Sequence, residues 1–107
     1  MAKQQILKEQ IEDSVIELDT ATPSLTPIIG TTYKGTVPLT SLTLTNIPVS
    51  NIEIAIYFTT HATDAFTLTA TDLVDKWYNV DVPTFDKNSE YVICIVNGNA
   101  VMAKIGE

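Results

Sequence analysis

The sequence predicts an all-β fold, a small antiparallel β-sandwich or jelly-roll-like barrel led by a short N-terminal helix or arm. Apolar and polar residues alternate with a period of two over most of the chain, and sixteen threonines, which follow Asp19, fill many of the polar positions. Pro, Gly, Asn and Asp interrupt this pattern and divide it into about seven or eight short segments. Because strands that bury one face have this period, we expect short strands arranged as a sandwich or barrel.

The first residues have a different character, since residues 3–13 are good helix formers without Gly, Pro or Thr. A heptad pattern also fits this region, but it extends over barely two heptads. We expect residues 1–18 to be an attachment or trimerisation segment and residues 19–107 to be the β-sandwich domain. Four apolar residues of the first segment recur at helical spacing and would form one narrow stripe: Leu7, Ile11, Val15 and Leu18.

Three stretches, LTSLTLTNI, IEIAIYFT and FTLTATD, show the alternation most clearly. On each predicted strand the large apolar residues fall on one face, which we expect to be buried. These residues are Leu42 and Leu44, then Ile52, Ile54, Ile56 and Phe58, and finally Phe66, Leu68 and Ala70.

The stretch YVICIVNGNAVMAKI predicts a β-hairpin that turns at Asn97-Gly98, because both residues tolerate the positive φ of a type I′ turn. The hairpin would have two apolar faces, whereas an antiparallel strand in a small sandwich usually keeps one face wet. One face would hold Val92, Cys94, Val96, Val101, Ala103 and Ile105, and the other Tyr91, Ile93, Ile95, Ala100, Met102 and Lys104.

Either another part of the chain or another copy of it must cover the second apolar face. If another copy covers it, the contact is expected at the N-terminal stripe and at one hairpin face, represented by Ile93, Ile95 and Met102. Cys94 is expected to be a buried, inert thiol on a core strand.

Composition limits the classes of partner. The chain has 107 residues, the size of one domain, with 45% hydrophobic and 18% charged residues. Six Lys and Arg residues and a net charge of −7 argue against nucleic acid as a partner. We expect neither a signal peptide nor a membrane span, and the single cysteine agrees with a cytoplasmic site of synthesis.

Few residues suggest chemistry. His61 and the nearby Asp64 do not complete a metal site, and the Asp86 to Glu90 stretch lacks the later ligands of a calcium loop. We therefore predict no catalytic residue, no metal and no cofactor, and no enzymatic activity. Trp77 and Tyr78 could form a platform for stacking sugars, so a carbohydrate-binding β-sandwich module is the alternative function.

An order of short parts runs through most of residues 20–103. SLTP precedes Tyr33, the strand LTSLTL precedes an apolar strand ending IYFTT, and a KW step at Trp77 is followed by Pro83. The closing strand has the form N-x-x-Y-x-I-x-I and leads into a glycine hairpin, here with Asn88, Tyr91, Ile93, Ile95 and Gly98. This order resembles a β module of small structural proteins of tailed bacteriophages, including head fibres of crAss-like phages.

The resemblance implies a head-fibre or capsid-decoration subunit, displayed as a trimer on the capsid surface and assembled in the host cytoplasm. It implies docking to a capsid or auxiliary capsid protein through the N-terminal segment, without nucleic acid or membrane. In the alternative function, that of a carbohydrate-binding module, a host-surface glycan would be the partner that contacts Trp77 and Tyr78.

Overall fold

The computed structural model describes residues 15–105, so Leu7 and Ile11 of the predicted stripe lie outside the described residues. Within this range the chain is rich in strand, which confirms the β-rich prediction, and its one helical element is the 3₁₀ turn Thr71–Leu73. The strands are β1 (Val15–Leu18), β2 (Ser24–Leu25), β3 (Thr32–Gly35), β4 (Ser41–Leu44), β5 (Ile54–Thr59), β6 (Thr67–Thr69), β7 (Glu90–Val96) and β8 (Asn99–Ile105).

The strands form two sheets, which the chain visits alternately. The five-stranded sheet has the order β1-β3-β5-β7-β8, and the three-stranded sheet has the order β2-β4-β6. All pairs among the first six strands are parallel, while β5 with β7 and β7 with β8 are antiparallel. The antiparallel prediction is therefore wrong for the first six strands, because each of their connections crosses to the other sheet and none is a hairpin.

One core lies between the two sheets. Leu42 and Leu44 of the three-stranded sheet belong to the same buried cluster as Ile54, Ile56 and Phe58 of β5, as their alternation predicted. Ile52 was expected on that face, but it precedes β5 and is half exposed. Because this core lies between the sheets, one face of the five-stranded sheet is buried against the three-stranded sheet and the opposite face points outward.

An aromatic cluster closes the core beside β6. Its ring centroids lie 4.9 to 6.0 Å apart, within the range of favourable stacked and edge-to-face pairs. The Tyr91 hydroxyl accepts a hydrogen bond from the amide of Asp86 at 2.7 Å, which ties the segment before β7 to this cluster. The members are Phe58, Phe66, Phe85 and Tyr91.

The end of the predicted N-terminal segment is a strand and not a helix. Val15–Leu18 pairs in parallel with Thr32–Gly35 and belongs to the five-stranded sheet. Residues three apart on a strand point to opposite sides. Leu18 is therefore buried in the core while Val15 is 49% exposed, and the two do not share the stripe that helical spacing predicted.

The Asn97-Gly98 turn is confirmed, with φ of 55° and 75° at its two residues. Val96 pairs with Asn99 and Cys94 with Val101, which reproduces the two predicted hairpin faces. The face with Ile93 and Ile95 was predicted to contact another copy, and this prediction is wrong. Ile93 and Ile95 are 0% and 1% exposed, because they pack under the chain's own three-stranded sheet. These two residues are thus core residues that a second copy cannot reach.

Candidate functional site: the outer face of the five-stranded sheet

The opposite face of the hairpin is the candidate site. We use the name outer face for the side chains of β5, β7 and β8 that point away from the core. Two rows cross it in register, because Ala55 pairs with Cys94 and Cys94 with Val101, and Tyr57 pairs with Val92 and Val92 with Ala103. The apolar side chains of the outer face are Ala55, Tyr57, Val92, Cys94, Val96, Val101, Ala103 and Ile105, and its polar members are Thr59, Glu90 and Asn99.

These side chains are partly exposed, and no element among residues 15–105 covers them. Tyr57 is 38% exposed, and Val92, Val96 and Val101 keep intermediate exposure because neighbouring strands shield their sides. The three-stranded sheet packs on the other side, against the core residues. The result is a mainly apolar surface on three adjacent strands, with polar residues at its margins, and such a surface is typical of an interaction site.

The same side of the sheet becomes charged toward β1 and β3. Glu17 lies opposite Lys34, and Lys34 lies opposite Tyr57 in the registers of the parallel strands. Opposite charges on directly paired positions support a sheet locally. This side of the sheet is therefore mainly apolar on β5, β7 and β8, while β1 and β3 contribute the charged pair Glu17 and Lys34.

Cys94 lies near the middle of the outer face and is half-buried, so the prediction of a fully buried thiol is wrong. Partial burial raises the pKa of the Cys94 thiol to about 11, and a hydrogen bond with Glu53 and the charge of that residue act in the same direction. The thiol is therefore protonated near neutral pH and is poorly suited to nucleophilic chemistry.

The two predicted ligand residues, Trp77 and Tyr78, point in different directions. The segment that carries them pairs with β8, since the amide of Tyr78 donates to the Ala100 carbonyl at 2.8 Å and the amide of Ala100 donates to the Lys76 carbonyl at 2.9 Å. Trp77 is half-buried against the core and lines a groove, whereas Tyr78 is 71% exposed and is not part of that groove. The two rings do not form one stacking platform.

His61 has a local structural role. Its Nδ1 atom accepts hydrogen bonds from the amides of Thr63 at 3.2 Å and Asp64 at 3.1 Å, which close the turn after β5. Within the described part of the chain, no group of three or more His, Cys, Asp or Glu side chains could hold a metal ion.

The 86–90 stretch is a tethered turn. The buried Thr60 hydroxyl donates to the Asp86 carbonyl at 2.6 Å, and the same oxygen accepts a hydrogen bond from the Ser89 amide at 3.0 Å. Lys104 contacts the Asp86 carboxylate at 3.1 Å. These bonds fix the entry into β7 and with it the outer face.

Comparisons with protein-family models, curated proteins and solved structures give no match to this chain. No helix within residues 15–105 is long and apolar enough to cross a membrane.

The sequence analysis missed the groove beside β6. Its lining residues all lie within residues 66–85, in β6, the 3₁₀ turn and residues 81–85, and they come together because the chain after β6 folds back beside it. The exposed valines Val74 and Val82 line the groove, but single apolar residues in loops are common, so the sequence held no specific signal for it.

Proposed function

We propose that the protein is a structural subunit of a tailed-phage virion, a head fibre or capsid-decoration protein, that assembles with further copies through its outer face. The observation that carries this proposal is the uncovered apolar surface on β5, β7 and β8. The sequence resemblance to phage structural modules supports the virion assignment and a trimer. The interface expected at Ile93 moves to the other side of the same strand, at Val92.

The size of the surface sets the strength of the association. Complete burial of one Val or Ile side chain contributes roughly 1.5–3 kcal/mol, and a side chain of intermediate exposure, which has at most about a third of its surface left to bury, gains about a third as much. The four such side chains, Val92, Val96, Val101 and Ile105, would contribute on the order of 3 kcal/mol per subunit, against an association cost of about 4–15 kcal/mol. The outer face alone therefore predicts assembly that depends on protein concentration, to which the predicted stripe at Leu7 and Ile11 would add.

Light scattering coupled to size-exclusion chromatography tests the assembly. We expect the measured mass to rise toward three subunits with increasing concentration, and Val92→Asp to hold the protein as a folded monomer, because a carboxylate on the outer face would be desolvated by a second copy. Val82→Asp is the matched control, since it makes the same chemical change at an exposed residue away from this sheet. A monomer at all concentrations, or equal effects of the two variants, contradicts the proposal.

The virion assignment has its own test. Mass spectrometry of purified particles of the encoding phage should detect the chain at the copy number of a repeated surface protein. Its absence from purified particles would refute the virion assignment and leave the assembly measurement intact.

A further inference from the structure

A groove of about 630 Å³ runs beside β6, the edge strand of the three-stranded sheet. β6 forms one wall and residues 81–85 form the other, while the rings of Phe66, Trp77 and Phe85 line the space between them. No backbone hydrogen bond joins residues 81–85 to β6. The groove thus separates a strand edge from a neighbouring chain segment that does not pair with it.

The free edge of β6 carries unused hydrogen-bonding groups. The amide of Thr67 donates to the Thr40 carbonyl at 3.1 Å, so Thr67 and Thr69 direct their backbone groups toward β4. Successive residues of a strand direct these groups to alternate sides. The N–H and C=O of Leu68 therefore point into the groove, where a further strand would find them.

The groove is negatively charged. Asp75 and Asp81 are the charged side chains among its lining residues, and both are exposed. The side chains of Phe66 and Leu68 are on the partly buried side of β6, while Thr67 and Thr69 are on its exposed side. A strand added here would place alternate side chains against the aromatic rings and the others in solvent near the carboxylates.

We propose that this groove binds an extended basic segment of another protein, which pairs with the free edge of β6 as a fourth strand. The backbone of the segment satisfies the N–H and C=O of Leu68, its apolar side chains contact Trp77 and Phe85, and its Lys or Arg side chains face Asp75 and Asp81. Alternating apolar and basic residues are the sequence pattern that fits. This site lies apart from the outer face and does not depend on self-assembly.

The probe is a capped nonapeptide of alternating Lys and Val, and the protein is the full chain at low ionic strength. Trp77 is the single tryptophan, so its fluorescence reports occupancy, and the amide resonance of Leu68 reports pairing. We expect both signals to saturate with the same dissociation constant. Two further peptides are N-methylated on the amides of either Lys or Val, and one of them should lose binding while the other keeps it, because an added strand uses alternate amides.

Charge variants of Asp75 and Asp81 test whether the two carboxylates contribute to peptide binding. Asp81→Lys and Asp75→Lys should each weaken peptide binding on the order of tenfold, whereas Asp19→Lys, an exposed acid outside the groove, should change it less than about twofold. Equal binding of both methylated peptides, or no difference among the three variants, would overturn the proposal. A Trp77 response to a neutral oligosaccharide but not to the peptide would also overturn it, as would a Leu68 shift that follows protein concentration without peptide.

Discussion

Ile93 and Val92 are adjacent residues of β7 that face opposite sides of the five-stranded sheet. Ile93 lies between Ile56 and Met102 on the inner face and is 0% exposed, while Val92 lies between Tyr57 and Ala103 on the outer face. Ile93→Ala and Val92→Ala shorten the two side chains at neighbouring positions in one strand. The two variants therefore compare the loss of a contact within one chain with the loss of a proposed contact between copies.

The structure gives different magnitudes for the two changes. Ile93→Ala removes three buried carbon groups, worth about 2.4 kcal/mol at ~0.8 kcal/mol each, and the cavity left under the three-stranded sheet raises the loss to about 3–4 kcal/mol. Val92→Ala removes two carbon groups from a partly exposed side chain, so the monomer should lose less than about 1 kcal/mol. A domain with roughly 5–15 kcal/mol of stability survives either change, but Ile93→Ala uses a large share of it.

Urea unfolding followed by Trp77 fluorescence measures both losses at low protein concentration. With a slope of about 1–3 kcal/mol per molar urea, the midpoint for Ile93→Ala should fall by about 1–4 M and that for Val92→Ala by much less. At high concentration the Val92→Ala loss should grow, because assembly then contributes to stability. Equal losses at low concentration would refute the assignment of the two hairpin faces.

Three further outcomes follow from local contacts. Cys94 should react slowly with a thiol reagent near pH 7 and faster as the pH approaches the raised pKa of about 11, and similar rates at about pH 7 and pH 10 would contradict that value. Gly98→Ala should cost about 1–2 kcal/mol in thermal denaturation, because the residue has φ of +75° and a Cβ atom would lie 3.2 Å from Val49 Cγ2, and an unchanged midpoint would disprove the strain. Thr60→Val should cost about 1–3 kcal/mol in urea unfolding, since the bond to the Asp86 carbonyl is lost and the Ser89 amide loses its acceptor, and a neutral result would show that water replaces the hydroxyl.

The sequence by itself determined the features that depend on neighbouring residues. Asn97-Gly98 fixed the hairpin turn, because few residues adopt two successive positive φ angles at low cost. The turn then fixed the pairing of β7 with β8 and the membership of both faces. The alternation around Leu42 and Ile56 likewise marked side chains that the structure buries.

Tertiary structure alone decided which apolar hairpin face is the core, the directions of the first six strands and the state of residues 15–18. Both faces of β7 are apolar, so the face that becomes the core is the one on which the three-stranded sheet packs. That face is the one with Ile93. A period of two is the same for parallel and antiparallel strands, and Val15–Leu18 is a strand because it pairs with the distant Thr32–Gly35. Each of these features depends on contacts between residues far apart in sequence. A local pattern of residue types does not specify which distant segment a strand pairs with or packs against.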